Sequence, residues 1–82
     1  MSEIVFLSIK EVLRRKGGGR SSLYAEINEG RFPKPLKLGE RRIGWPEHEI
    51  EALLRFLLRG VNQNEIKNFI RILEENRISG RI

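Results

Sequence analysis

The 82-residue sequence contains no cysteine and no aspartate, and it contains a single histidine. Without cysteine, neither a disulfide framework nor a thiolate site can form. A metal centre needs several histidine, cysteine or carboxylate ligands that converge, and His48 has only Glu47, Glu49 and Glu51 near it in sequence. We interpret this group as a solvent-exposed start of a helix. The sequence therefore predicts no enzyme, no metal site and no cofactor.

Long apolar segments are also missing. No run approaches the roughly 18 residues that a transmembrane helix requires. Residues 1–10 lack the basic leader and the long apolar stretch of a signal peptide. Together with the absence of cysteine, these features predict a cytoplasmic protein with no membrane partner. The length fits one small domain with a modest core.

Positive charge is concentrated in one part of the chain. The formal net charge of the whole protein is +5. Residues 14–42 contain nine basic and three acidic side chains, a local net charge of +6, so the rest of the chain is slightly negative. Such a basic excess in a small domain favours an anionic partner, most often nucleic acid. The alternative is a soluble basic protein whose charge has no binding role.

A helix, a glycine turn and a second helix are predicted at the start of this basic segment. Ser8 and Glu11 have the spacing of a capping box, which predicts a first helix over residues 9–16. Three consecutive glycines at 17–19 end it, and a second helix is predicted over residues 20–29. Helix, tight turn and helix form the helix-turn-helix pattern, in which the second helix reads DNA.

The predicted second helix has an apolar side and a short polar side. Leu23 and Ile27 lie four residues apart and are expected to anchor the helix to a core. The other side is expected to face the major groove of DNA. Arginine and asparagine are the usual bidentate partners of guanine and adenine, and serine more often contacts phosphate. The candidate DNA-binding residues are Arg20, Ser21, Ser22 and Asn28, with Tyr24 at the DNA backbone.

A basic β-hairpin is predicted after this helix. Two prolines at positions 33 and 35 exclude a helix there. Short apolar runs on either side of a glycine-containing turn then predict a hairpin over residues 36–45. A basic hairpin in this place acts as a wing that contacts the flanking DNA. The candidate DNA-binding residues here are Lys34, which precedes the hairpin, and Lys37, Arg41 and Arg42, which lie within it. Phe32 and Trp45 are interpreted as core residues.

Two more helices are predicted over residues 46–59 and 62–76. Each has an apolar stripe at helical spacing. The stripes consist of Ile50, Leu53, Leu54 and Leu57, and of Ile66, Phe69, Ile70 and Leu73. We expect Phe56 and Leu58 to receive the last helix, which packs on its own domain or on a second copy. The last six residues are expected to fray.

In order and spacing, these motifs resemble the AlpA family of phage and prophage regulators, winged-helix relatives of MerR-type and excisionase-like proteins. The resemblance rests on Ile9-Lys10-Glu11-Val12, Arg20-Ser21-Ser22-Leu23-Tyr24, Glu29-Gly30-Arg31-Phe32-Pro33-Lys34-Pro35, Lys37-Leu38, Gly44-Trp45 and Glu49-Ile50-Glu51-Ala52. Two positions depart from the family pattern. Gly18-Gly19 replace a leucine-serine type residue before the second helix, and Ala25 replaces a basic residue after Tyr24.

The expected fold is mainly α with a small β-hairpin, a winged helix-turn-helix in residues 1–60 followed by a C-terminal helix in residues 61–82. The resemblance implies a cytoplasmic DNA-binding protein that regulates prophage genes or helps an integrase to excise the element. Double-stranded DNA is the predicted partner, and a homodimer and an integrase contact are left open. The alternative is a protein-interaction adaptor that uses helices 46–59 and 62–76 and whose basic charge is incidental.

Overall fold

The computed structural model describes residues 4–78, with Ile78 described by its backbone alone. The elements in chain order are β1 (Phe6–Leu7), α1 (Ile9–Lys16), α2 (Arg20–Asn28), β2 (Leu36–Lys37), β3 (Ile43–Pro46), α3 (Glu47–Leu57) and α4 (Gln63–Ile78). Four helices surround a small antiparallel sheet, an arrangement consistent with a winged helix-turn-helix. The predicted fold class is confirmed.

The helix-turn-helix forms where local signals predict it. Glu11 donates its backbone N–H to Ser8 Oγ at 3.3 Å, and Ser8 donates its backbone N–H to Glu11 Oε1 at 3.0 Å, which completes the predicted capping box. These hydrogen bonds, the backbone one foremost, hold the pKa of the Glu11 carboxyl below its usual range. Gly17 and Gly18 follow with φ of 84° and 85°, a left-handed conformation that glycine adopts without steric cost. The chain thereby reverses before α2.

The sheet has the order β1-β3-β2, and both strand pairs are antiparallel. Leu36 of β2 stands opposite Gly44 of β3, and Leu38 donates its N–H to the Arg42 carbonyl oxygen at 2.8 Å. The predicted hairpin is therefore confirmed. The apolar segment before α1 forms β1, which pairs with the other edge of β3 and makes β3 the central strand.

Gly44 lies where β3 is flanked by strands on both sides. A Cβ atom at this position would lie 2.8 Å from Leu38 Cδ1 and 3.0 Å from the Leu7 carbonyl oxygen. The leucine side chain can move, but the carbonyl belongs to the backbone of the paired strand. Only glycine therefore fits at the centre of this small sheet without a backbone shift.

The core lies between the sheet and the helices. Its buried apolar residues are Leu7, Val12, Leu23, Phe32, Trp45, Ile50, Leu53 and Ile70. Trp45 donates its Nε1–H to the Pro33 carbonyl oxygen at 2.7 Å, and the Phe32 ring packs edge-on with ring centroids 6.1 Å apart. The prediction that Phe32 and Trp45 are core residues is confirmed, and together they attach the proline segment to the sheet.

Helix α4 packs on α3 of the same chain. Ile70 is buried in the common core, and Phe69 stacks on Phe56 with ring centroids 4.2 Å apart. The expectation that Leu58 also receives α4 is wrong, because its side chain is 87% exposed. Residues two positions apart on a helix do not face the same neighbour, so Phe56 and Leu58 could not both contact α4. The proposed division of the chain at residue 60 stays a prediction.

A buried ion pair contradicts two expectations. Glu49 was expected to face solvent at the start of α3, but it is only 1% exposed. Arg77 donates from Nε to Glu49 Oε2 at 2.8 Å and from Nη2 to Oε1 at 2.5 Å. Arg77 also belongs to the segment that was expected to fray, whereas α4 continues to Ile78. Residues 79–82, the remainder of that segment, lie outside the described residues.

Candidate nucleic-acid interface

Helix α2 presents a short polar surface to solvent. Leu23 is fully buried and Ile27 packs against the core, so these residues fix the inner side of the helix. Ser21, Ala25 and Asn28 follow one another at i, i+4 and i+7 on the outer side, and all three are exposed. Short side chains on this side leave the helix backbone accessible, as close approach to a DNA groove requires.

The N-terminal end of α2 is open. Gly19 occupies the N-cap position, and no side chain within residues 4–78 caps the helix there. The first hydrogen bond of the helix runs from the Leu23 N–H to the Gly19 carbonyl oxygen at 3.1 Å. The preceding N–H groups, from Arg20 to Ser22, point out of the helix end, where backbone N–H groups and the helix dipole favour an anion. The exposed side chain of Arg20 adds a full positive charge at this end.

The basic candidates outside α2 are exposed as well. Lys37 lies on β2, and Arg41 and Arg42 lie in the turn of the hairpin. Lys34 lies in the extended segment before β2, and its backbone N–H donates to Glu74 Oε2 at 2.9 Å. Helix α4 thereby holds the backbone of this segment. The Lys34 side chain stays exposed.

Ion pairs divide the basic residues of this region into two groups. Arg15 pairs with Glu47 at 2.8 Å, and Lys16 pairs with Glu26 at 2.9 Å. No such pair forms within residues 4–78 at the five basic DNA-binding candidates. These candidates are Arg20, Lys34, Lys37, Arg41 and Arg42. Their charge is therefore not neutralised inside the fold.

Most acidic residues have partners inside the fold. Within the described part of the chain, the only carboxylates that form no ion pair or hydrogen bond are those of Glu40 and Glu51. Each ion pair neutralises one cation and one carboxylate, so the net charge is unchanged. Within residues 4–78, cations without such a pair remain exposed on α2, on the hairpin and at its flank.

The sequence indicated no partners for the basic cluster at the end of α1, which consists of Arg14, Arg15 and Lys16. In the structure, Arg15 and Lys16 are ion-paired, and Lys16 Nζ also lies 5.7 Å from the centroid of the Phe32 ring. These partners come from other elements, so no spacing within α1 could indicate them.

Residues 4–78 contain neither a metal-binding group nor a membrane-spanning helix. No group of three or more histidine, cysteine or acidic side chains that could hold a metal ion occurs within residues 4–78. None of the helices in that part of the chain is long and apolar enough to cross a membrane. His48 is exposed on the first turn of α3.

The fold and its unpaired cations define a small basic domain of the winged-helix type. The family model described as prophage CP4-57 regulatory protein (AlpA) matches residues 5–56, more than half of the chain. The protein therefore belongs to the AlpA family of prophage regulators. The match covers the helix-turn-helix, the sheet and nearly all of α3, and it ends before α4.

A phage protein supports this assignment. Uncharacterized protein ORF88 of Enterobacteria phage P4 is 36% identical over 47 residues, which are 57% of this chain and 53% of the phage protein. The chain thus spans about half the length of this relative. No solved structure shows a significant match.

Proposed function

We propose that the protein is a sequence-specific DNA-binding regulator of prophage genes, or an accessory factor for excision, and that it has no enzymatic activity. The observation that carries the proposal is that the five basic candidates form no ion pair within residues 4–78, whereas Arg15 and Lys16 at the end of α1 are paired. Exposed cations without ion pairs, on elements that follow one another in the chain, suit the DNA backbone, whose phosphates dominate affinity. Membership of a family of prophage regulators supports the same function.

In this proposal, α2 enters the major groove. Arg20 and Asn28 contact base edges, because their side chains can form bidentate hydrogen bonds with guanine and adenine. Ser21 and Ser22 contact phosphate, together with the open N-terminal end of the helix. Tyr24 is exposed at the border of the buried side, so its ring packs at the edge of the core while its hydroxyl reaches the DNA backbone.

The β2–β3 hairpin acts as the wing. Arg41 and Arg42 occupy its turn and reach the flanking backbone or an A·T-rich minor groove, whose narrow width strengthens the negative potential. Lys37 and Lys34 contact phosphates on the same flank. Two further partners fit this arrangement. A second copy would bind a repeated or palindromic site, and an integrase would bind beside the protein, in regulation or in excision.

The test begins with selection of preferred sites from random DNA duplexes, followed by affinity measurements at several salt concentrations. Each phosphate contact should contribute a slope of about −0.9 to the plot of log K against log salt concentration. Arg20→Ala should lose about 1–3 kcal/mol of binding free energy at the selected site. The control is Lys67→Ala, which removes an exposed cation of α4 that forms no ion pair within residues 4–78 and should change binding little. Unchanged affinity of Arg20→Ala would contradict the proposed role of this side chain.

The same titration tests the alternative function. An interaction adaptor with incidental positive charge would bind DNA weakly even at low salt, and no sequence would be enriched in the selection. Either result would contradict the proposed regulator.

A further inference from the structure

The outer sides of α3 and α4 form a shallow groove of about 450 Å³. It is lined by Ala52, Arg55, Phe56, Arg59 and Phe69. None of these residues belongs to the proposed DNA-binding set. Phe69 and the rest of α4 also lie outside residues 5–56, the part of the chain that matches the family model. The groove is thus a surface that α4 adds to the winged-helix domain.

The floor of the groove is aromatic. The rings of Phe56 and Phe69 are nearly parallel, with an angle of 4° between their planes, and both side chains are only half-buried. Ile72 follows Phe69 by three positions on α4 and is 42% exposed, so it extends the apolar surface by one helical turn. A continuous apolar strip of this kind suits the apolar side of a bound segment.

The edge of the groove is basic. Arg55 and Arg59 are exposed, and neither forms an ion pair or a side-chain hydrogen bond within residues 4–78. Glu51 lies one turn before Arg55 and does not pair with it. A cation near the C-terminal end of α3 is favoured by the helix dipole, but the dipole does not explain the half-buried aromatic pair beside it.

We propose that this groove binds an acidic, amphipathic segment of another protein. Apolar side chains of the segment pack on Phe56 and Phe69, and its aspartate or glutamate side chains form charge-assisted hydrogen bonds with Arg55 and Arg59. The groove shares no residue with the DNA-binding surface, so both can be occupied at once. The proposal does not rest on DNA binding.

Charge and size both favour such a segment over a second copy of this chain. Within residues 4–78, Glu40 and Glu51 are the only carboxylates not already engaged, so a second copy offers few acids to two exposed arginines. A stable dimer buries about 800 Å² on each partner. A groove lined by five side chains is smaller than that requirement and matches a short peptide segment.

The experiment is a selection of binders from a random 16-residue peptide library displayed on phage, with the full-length protein immobilised. The affinity of a fluorescein-labelled selected peptide is then measured by anisotropy. We expect enriched peptides to combine acidic with large apolar residues, and the Arg55→Glu/Arg59→Glu variant to weaken binding at least about tenfold. The control is Lys10→Glu/Arg14→Glu, two exposed cations with the same spacing on α1 and the same change in net charge. It should bind the peptide nearly as well as the unchanged protein.

Four results would overturn the proposal. The first is enrichment of peptides without acidic residues, or no enrichment at all. The second is equal weakening by the two double variants, which would indicate a general effect of net charge. The third is a loss of DNA affinity in Arg55→Glu/Arg59→Glu that exceeds the loss in the control variant, which would make the groove part of a nucleic-acid surface. The fourth is a protein dimer in sedimentation that a selected peptide dissociates, which would make a second copy the occupant. Circular dichroism of both variants verifies that they are folded.

Discussion

The buried ion pair between Glu49 and Arg77 should make α4 essential to the stability of the whole domain. Arg77→Leu removes the guanidinium but leaves the Glu49 carboxylate, which is 1% exposed, without a counter-ion. Removal of one partner from a buried pair typically costs about 3–5 kcal/mol, because the remaining charge stays desolvated. The total free energy of unfolding of a domain of this size is about 4–12 kcal/mol. The variant should therefore lose a large fraction of its stability.

Urea unfolding followed by fluorescence measures this loss directly. Trp45 is the only tryptophan, is completely buried and donates a hydrogen bond to the Pro33 carbonyl oxygen, so its emission reports on the core. Arg71→Leu is the matched control on α4. Its ion pair with Glu75 is solvent-exposed, with side chains 59% and 57% accessible. Loss of that pair should cost only about 0.3–0.5 kcal/mol.

A double variant separates the charge from the packing. Glu49→Leu/Arg77→Leu replaces both partners with apolar side chains and should recover most of the stability lost by Arg77→Leu, because no unpaired charge is left in the core. If Arg77→Leu is no less stable than Arg71→Leu, the predicted cost of an unpaired Glu49 carboxylate is refuted. That carboxylate would then be hydrated or paired in another way. A double variant that is less stable than Arg77→Leu would show that the unpaired carboxylate is not the cause of the loss, because both variants lack the ion pair.

Three further changes test the sheet, the first helix and the wing. Gly44→Ala should lower the free energy of unfolding by about 1–3 kcal/mol, because its Cβ meets a backbone carbonyl of the paired strand; unchanged thermal stability would contradict this. Ser8→Ala should cost about 1 kcal/mol. Because Ser8 lowers the pKa of Glu11 in the folded state, the capping box stabilises at neutral pH and this contribution is lost as pH falls through that pKa. Ser8→Ala keeps the backbone N–H that lowers this pKa most and loses only the hydrogen bonds of the side chain, so the difference between the two stability curves should narrow in acid without vanishing. Arg41→Ala/Arg42→Ala should make the salt dependence of DNA binding shallower while base preference is kept, and an identical slope would show that the wing does not contact DNA.

Elements with local signals could be predicted from the sequence. The bounds of α1 agree because the capping box and the glycine turn are both encoded within a few residues. The hairpin agrees because alternating apolar residues flank a glycine-containing turn. A second local signal is the capping box at the start of α4, where Glu65 donates its N–H to Asn62 Oδ1 at 2.8 Å. In each case the interacting groups are close in sequence.

Contacts between distant segments could not be predicted in the same way. Glu49 lies among other glutamates at the start of a helix. These sequence neighbours do not distinguish a buried carboxylate from an exposed one. Its partner, Arg77, lies 28 residues away in a segment that composition marks as a fraying end. The pair between Lys16 and Glu26 likewise joins two helices whose crossing the sequence does not reveal. The same limit applies to the DNA-binding candidates, since the structure gives their exposure and lack of ion pairs, whereas their contacts with DNA stay a prediction.

Helix α4 also has a consequence for the proposed wing. Glu74 accepts a hydrogen bond from the Lys34 backbone N–H two residues before β2, and Arg77 pairs with Glu49 in the first turn of α3, three residues after the end of β3. The two contacts come from adjacent turns of one helix and hold both ends of the hairpin segment. The orientation of the hairpin relative to the core therefore depends on α4, although the residues that match the family model end at 56. In the proposed DNA complex, α4 would therefore help to set where the charges of the wing lie, because this helix contacts the chain on both sides of the hairpin.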